Sequence, residues 1–258
     1  MAAETESAGG GAGARPLGWP RRIEEALGRD LFDLHGQRIV DVLTGATVSH
    51  ELFLRMVDGH RLIPAGEFLP AADASGSIRE IDRWVVGRAI EVAAGGSTVH
   101  LNLSLPSIDE GMLELIAERL ELTGANAGDL VLELREPQLV AAQEGQLHFV
   151  RAAGDLGCRI ALDGFVDGGP GASQLLQLPI DYLKLGSEFI GDLETDPARR
   201  RAVSRATLTA HREGRRVIAC GVERVTTLQL IAELGVDEAQ GYVLGAPEPL
   251  DSLLGIAA

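Results

Sequence analysis

The sequence predicts an α/β fold, an irregular (β/α)8 TIM-type barrel that opens with an antiparallel hairpin. Three observations carry this expectation. Short β-rich runs alternate with helix-patterned stretches along most of the 258 residues, which implies a parallel sheet with helices outside it. Hydrophobic residues make up 45% of the chain and aromatic ones only 4%, a balance that suits a core packed with Val, Leu and Ile. The first two β-rich runs are joined by LTGAT alone, too short for a crossover helix and long enough for a hairpin.

The elements follow in order. Residues 1–30 read as a flexible tail and residues 31–258 as the barrel domain. The opening MAAETESAGGGAGARPLGWPRR lacks the basic start and apolar run of a secretory signal, and its Gly, Ala and Ser content is that of a mobile segment. Strands are expected near 37–43, 47–55, 98–104, 129–134, 158–163, 181–185, 215–220 and 238–243, where β-branched and aliphatic residues cluster. Eight strands in one domain favour a closed barrel over an open sheet. Five stretches carry apolar residues at three- and four-residue steps and read as helices: IREIDRWVVGRAIEVAA, DEGMLELIAERLEL, PQLVAAQEGQLHFVRAA, DPARRRAVSRATLTAHREG and TTLQLIAELG.

Composition excludes several classes of function. With 38 acids against 23 bases and a formal charge of -15, most of the surface would repel a phosphate backbone, which argues against general nucleic-acid binding. Cys158 and Cys220 lie on separate strand-like segments and form neither a disulfide framework nor a paired zinc motif. Free thiols in a reducing cytoplasm are expected. No apolar run approaches the roughly 20 residues that span a membrane.

In a barrel of this kind the chemistry gathers at the carboxyl ends of the strands. Glu51, Asn102, Glu133 with Glu136, Asp163, Lys184, Glu223 and Gln240 all fall at or near such ends. The oxygen-bearing side chains of Glu51, Asn102, Glu133 and Asp163 make a donor set for a hard cation such as Mg²⁺ or Mn²⁺. Each also has an ordinary structural alternative as a helix cap, a turn residue or a solvated loop acid. Lys184, inside the apolar run IDYLKLG, is different, because a buried ammonium requires a partner. The six histidines show no metal-ligand spacing, and His148 and His211 read as surface residues.

Taken together, these segments resemble the EAL domain of bacterial cyclic di-GMP phosphodiesterases over about residues 33–250. GQRIVDVLTGATVSHELFLR is similar to the opening hairpin of that family, with ELF where the name-giving Glu-Ala-Leu stands. IPAGEFLPAAD, IDRWVV, VHLNLS, LVLELRE, ALDGF, LPIDYLKL, ACGVE and QGYVLGAP follow in family order. The resemblance implies a barrel whose relatives use two divalent cations to hydrolyse one phosphodiester bond of cyclic di-GMP. It implies that Glu51, Asn102, Glu133 and Asp163 match metal ligands and that Lys184 matches the site lysine. Gln37, Arg55 and Gln240 match positions lining the dinucleotide site, and Glu223 matches a glutamate that steadies the loop after the fifth barrel strand.

The departures are as informative as the matches. Where the family carries Asp-Asp-Phe-Gly, this chain has Asp163, Gly164, Phe165 and Val166, so one carboxylate is missing. The following loop has become DGGPGAS, the aspartate expected two residues after the lysine is Gly186, and the glutamate proposed as general base is Cys220. Two-metal hydrolysis needs both cations about 3.5–4 Å apart, and a thiol with an ordinary pKa near ~8.5 is a soft ligand and a poor base toward metal-bound water. Losing a general base alone costs roughly 10²–10⁴ in rate. Asp167 lies three residues past Gly164 in a glycine-rich loop, and no histidine stands at a strand end to activate Cys220 as a nucleophile. The expectation is therefore a degenerate, catalytically inactive member that binds cyclic di-GMP or a protein partner, with weak Mg²⁺ or Mn²⁺ binding and no cofactor required. The alternative is a weak metal-dependent phosphodiesterase, and a homodimer is compatible with either.

Overall fold

The computed structural model describes residues 18–165 and 177–250, and within them eight strands close into a barrel. β1 (Phe32–Asp41) and β2 (Thr47–Asp58) form the expected antiparallel hairpin, with Gln37 opposite Glu51. β4 (Val99–Asn102), β5 (Leu130–Arg135), β6 (Arg159–Asp163), β7 (Tyr182–Leu185), β8 (Arg216–Ala219) and β9 (Glu238–Ala239) continue in parallel from β2, and β9 closes antiparallel onto β1. β1 thus runs against the other seven, which brings its Gln37 to their carboxyl ends. Two further strands lie outside the ring: β3 (Arg61–Pro64) pairs with β2, and β10 (Glu248–Pro249) with β1.

The turn between β1 and β2 shows why so short a segment suffices. The Asp41 carboxylate accepts the backbone N–H groups of Leu43 at 3.1 Å and Thr44 at 2.9 Å, and Gly45 adopts a φ of +71°, a left-handed conformation that glycine enters without steric cost.

Helices clothe the ring: α1 (Trp19–Gly28), α2 (Ala65–Ser75), α3 (Ile78–Ala94), α4 (Glu110–Thr123), α5 (Glu136–Val140), α6 (Glu144–Asp155), α7 (Ser187–Ile190), α8 (Pro197–Arg212) and α9 (Val225–Glu233). The main apolar core lies between strands and helices, as in Leu101, Leu132 and Leu162 against Ile90, Ile116 and Val150. A second, small cluster of Ile39, Val131, Ala161, Tyr182 and Ile218 comes from five separate strands of the ring. Residues of five strands can meet in this way only inside the barrel, so this cluster identifies the inward face. None of the described helices is long and apolar enough to cross a membrane.

Several sequence expectations need correction. A flexible tail through residue 30 does not hold for residues 19–28, which form α1 with Ile23 and Ala26 buried. Pro20 in the first turn and apolar positions three residues apart start and dock this helix, while Trp19 packs 6.4 Å from Phe68 between ring centroids. The preceding Gly/Ala-rich residues drew the expected boundary too far along the chain. The single helix expected over 137–153 is two: α5 ends at Val140, and Gln143 with Gln146 builds a capping box that starts α6 afresh. α2 carries Pro70 in its interior and escapes a propensity reading; buried Phe68 and Ala72 hold it in place.

Candidate functional site

Strand alternation places the site. Side chains two residues apart share a face, so the inward Val131, Ala161, Tyr182 and Ile218 put Glu133, Asp163, Lys184 and Cys220 one step nearer the carboxyl rim. On the reversed β1, Ile39 does the same for Gln37. Ten of the residues singled out from the sequence (Gln37, Glu51, Arg55, Asn102, Glu133, Asp163, Lys184, Cys220, Glu223 and Gln240) sit at this one end of the barrel, while Glu136 is buried at the start of α5 and is not among the residues lining the cleft.

At the centre is a buried ionic network. The Lys184 ammonium, 2% exposed, donates to Glu51 Oε2 at 2.8 Å and to both oxygens of Glu133 at 2.5 and 2.6 Å. Asn102 Nδ2 donates to the remaining Glu51 oxygen at 2.9 Å. Burial by itself would lower the Lys184 pKa, but the Glu133 and Glu51 carboxylates outweigh it and hold the group well above the usual lysine range. The partner that a lysine in an apolar run requires is therefore supplied twice. A second pair lies alongside: Gln240 Nε2 donates to Gln37 Oε1 at 3.1 Å, and Gln37 Nε2 donates to the Gly245 carbonyl at 2.8 Å.

One member of the network was not foreseen. His100, fully buried, stands two residues before Asn102 on β4, and its Nδ1 lies 3.0 Å from Glu133 Oε1. Burial first, then the Lys184 charge, pushes its pKa down to about 3, so the ring is neutral and Nδ1–H donates to the carboxylate. Nε2 meets no hydrogen-bond partner among the described residues, and the ring packs 5.4 Å from Tyr182. Inward alternation from Asn102 was the available signal.

Above the network opens a cleft of about 560 Å³ lined by Gln37, Glu51, Arg55, Asp163, Lys184, Cys220, Glu223 and Gln240, with Arg135, Glu188 and Tyr242 added by the structure. Asn102 and Glu133 are not among the lining residues, and Glu133 is only 1% exposed beneath the lysine. The far wall is held by a close approach: a Cβ at Gly241 would lie 2.1 Å from the Val222 carbonyl oxygen, so only glycine lets the segment carrying Gln240 seat against the one carrying Cys220 and Glu223. Val166, Asp167 and the loop that Glu223 is expected to steady lie outside the described residues.

The donor types at Glu51, Asn102, Glu133 and Asp163 suit a hard cation, yet their present bonding does not suit a pair of them. Lys184 takes both oxygens of Glu133 and one of Glu51, and Asn102 takes the other. Gly164 brings no carboxylate, and burial pushes the Cys220 thiol up against the opposing pull of Lys184, leaving it neutral. Among the described residues no group of three or more His, Cys, Asp or Glu side chains is arranged to hold a metal ion. Without a carboxylate at Gly164 and with a neutral thiol at Cys220, the described residues do not fit a two-cation centre.

Comparison with known proteins agrees with this architecture. Residues 21–247 match the EAL domain family. The bifunctional diguanylate cyclase/cyclic di-GMP phosphodiesterase MucR of Pseudomonas aeruginosa is 28% identical over 245 residues, covering 92% of this chain and 36% of that protein. A solved complex of the PaMucR phosphodiesterase with c-di-GMP superposes with a TM-score of 0.85 at 27% identity, over 92% of this chain and all of that one. The FimX EAL domain of Xanthomonas citri in complex with c-di-GMP gives a TM-score of 0.84 at 25% identity, over 90% of this chain and 94% of that one. The chain spans about a third of the length of the curated relatives it matches.

Proposed function

Since the chain belongs to the EAL domain family, we propose that it is a catalytically silent member that serves cyclic di-GMP signalling in the cytoplasm by binding, as a receptor for the dinucleotide or a holder of a protein partner. The observation that carries this reading is the loss of two carboxylates: the positions that would complete a second cation site are Gly164 and Cys220, while Glu51 and Glu133 share a single internal ammonium. A general base is missing at the same position, because the neutral, partly buried Cys220 thiol does not take a proton from water at ordinary pH. Gln37, Arg55 and Gln240 remain at the cleft as polar and cationic groups able to grip base and phosphate without hydrolysis. No divalent cation is required in this scheme.

Titration calorimetry with cyclic di-GMP in the presence of a chelator tests it directly. Binding is expected without metal, and product analysis with Mg²⁺ and Mn²⁺ is expected to show no linear dinucleotide. No heat and no thermal shift at high micromolar ligand would end the receptor version and leave partner binding. Conversion to the linear product, lost in Glu51→Ala, would instead establish the weak phosphodiesterase that the surviving oxygen donors favour.

The double variant Gly164→Asp with Cys220→Glu is expected to gain affinity for Mn²⁺. No heavy atom lies within 4 Å of a Cβ built at Gly164, although its φ of +70° makes the substitution strained. Unchanged Mn²⁺ affinity in a folded double variant would show that the metal positions are wrongly assigned.

A further inference from the structure

The chain lacks an acid at Gly186, and the structure shows what stands in that space. A Cβ built on Gly186 would lie 2.4 Å from Oε2 of Glu188 and 2.7 Å from its Cδ and Oε1. The Glu188 carboxylate therefore folds back over the glycine and takes the volume a side chain there would need. The same turn is locked from the other side, where a Cβ on Gly221 would meet Ser187 Cβ at 2.6 Å. Glu188 lines the cleft together with Asp163 and Lys184, so an acid has moved two residues along the chain and still faces the ligand space.

An acid in this position has a restricted set of partners. Without a cation pair to bridge it, a carboxylate repels a phosphodiester anion. It accepts hydrogen bonds through two parallel oxygens and donates none, so it favours a group that presents two adjacent N–H donors. The N1–H and N2–H edge of guanine is such a group. Adenine presents a bare N1 acceptor beside its amino group, which a carboxylate opposes. The half-buried Arg55 guanidinium across the same cleft is the group suited to phosphate.

We propose that Glu188, its carboxylate seated in the space left free by Gly186, is a specificity-determining residue of this cleft that receives the guanine edge of a nucleotide ligand. The proposal rests on the nucleotide-binding reading above and adds the group that selects the base.

Calorimetric titration of wild type, Glu188→Gln and Gly186→Ala with cyclic di-GMP and with cyclic di-AMP tests it. Wild type is expected to prefer the guanine ligand. Glu188→Gln keeps the length of the side chain but turns one acceptor into a donor, and should lose roughly 5- to 150-fold in affinity for cyclic di-GMP while gaining toward cyclic di-AMP, whose adenine edge an amide complements. Gly186→Ala keeps the carboxylate and displaces it, and because the atoms it meets are the free end of a flexible side chain, it should reproduce the loss with little change in Tm. An unchanged guanine-to-adenine ratio in both variants, with wild-type binding intact, overturns the proposal alone. Absence of wild-type binding to cyclic di-GMP overturns it together with the reading beneath it.

Discussion

Replacing Lys184 with methionine is expected to destabilise the fold by about 3–5 kcal/mol, which for a domain of this size lowers Tm by roughly 6–20 °C. The side chains are similar in length, so little packing is lost. What is lost is the counter-charge for two carboxylates that the ammonium now bridges at 2.5–2.8 Å, and Glu133 has almost no solvent to turn to. Differential scanning calorimetry checks the size of the effect, and a double variant checks its cause. Lys184→Met combined with Glu133→Gln removes charge from both sides and should recover much of the loss, because a buried pair is costly to break and far less costly to replace. A Tm for Lys184→Met within 2 °C of wild type would mean that the carboxylates are solvated and that the ammonium does not stabilise them.

The same lysine shows how far the sequence can be read. Its place in the apolar run IDYLKLG already demanded a partner, but the partners are 51 and 133 residues away and nothing local names them. Barrel closure names them, since it brings the ends of β2, β5 and β7 to one rim. The strand and helix pattern was legible because hydrophobic period is a local property. The hairpin was legible because a five-residue connection admits few geometries. Elements that depend on tertiary packing were not. α1 is set by Trp19 and Ile23 against the body of the domain, α2 overrides its own Pro70, and β3 and β10 are short edge additions with no periodicity to read.

The candidate site divides in a similar way. Residue types at strand ends pointed to one end of the barrel, where the structure gathers them around a cleft, because position along a strand is encoded in sequence order. The state of those residues was hidden. A quartet of oxygen donors is legible as residue types, but the bonds that Lys184 and Asn102 make to Glu51 and Glu133 are not. Glu188 was hidden for the opposite reason: its carboxylate occupies the volume that a side chain at Gly186 would take, and an absent side chain leaves no mark on hydrophobic pattern or charge.

His100 makes the fold acid-sensitive, with a sign that follows from its burial. Its pKa of about 3 in the folded protein compares with about 6.5 in an unfolded chain, so the folded state resists a proton that the unfolded state accepts. The contribution is fully present above pH 6.5 and declines as pH falls from there toward 3, by about 1.4 kcal/mol per pH unit. Protonation would place a second cation beside Lys184, and with the imidazole sealed in the barrel interior no water screens the two. His100→Gln removes the titration and keeps an N–H able to donate to Glu133. Between pH 7 and pH 5, urea unfolding of wild type should lose about 2 kcal/mol more than that of the variant. Equal losses would show that His100 gains a proton in the folded state and that the interior beneath Glu133 admits solvent. In that event Glu133 would also exchange its bonds to Lys184 for water, and the ionic network beneath the cleft would no longer be held in place.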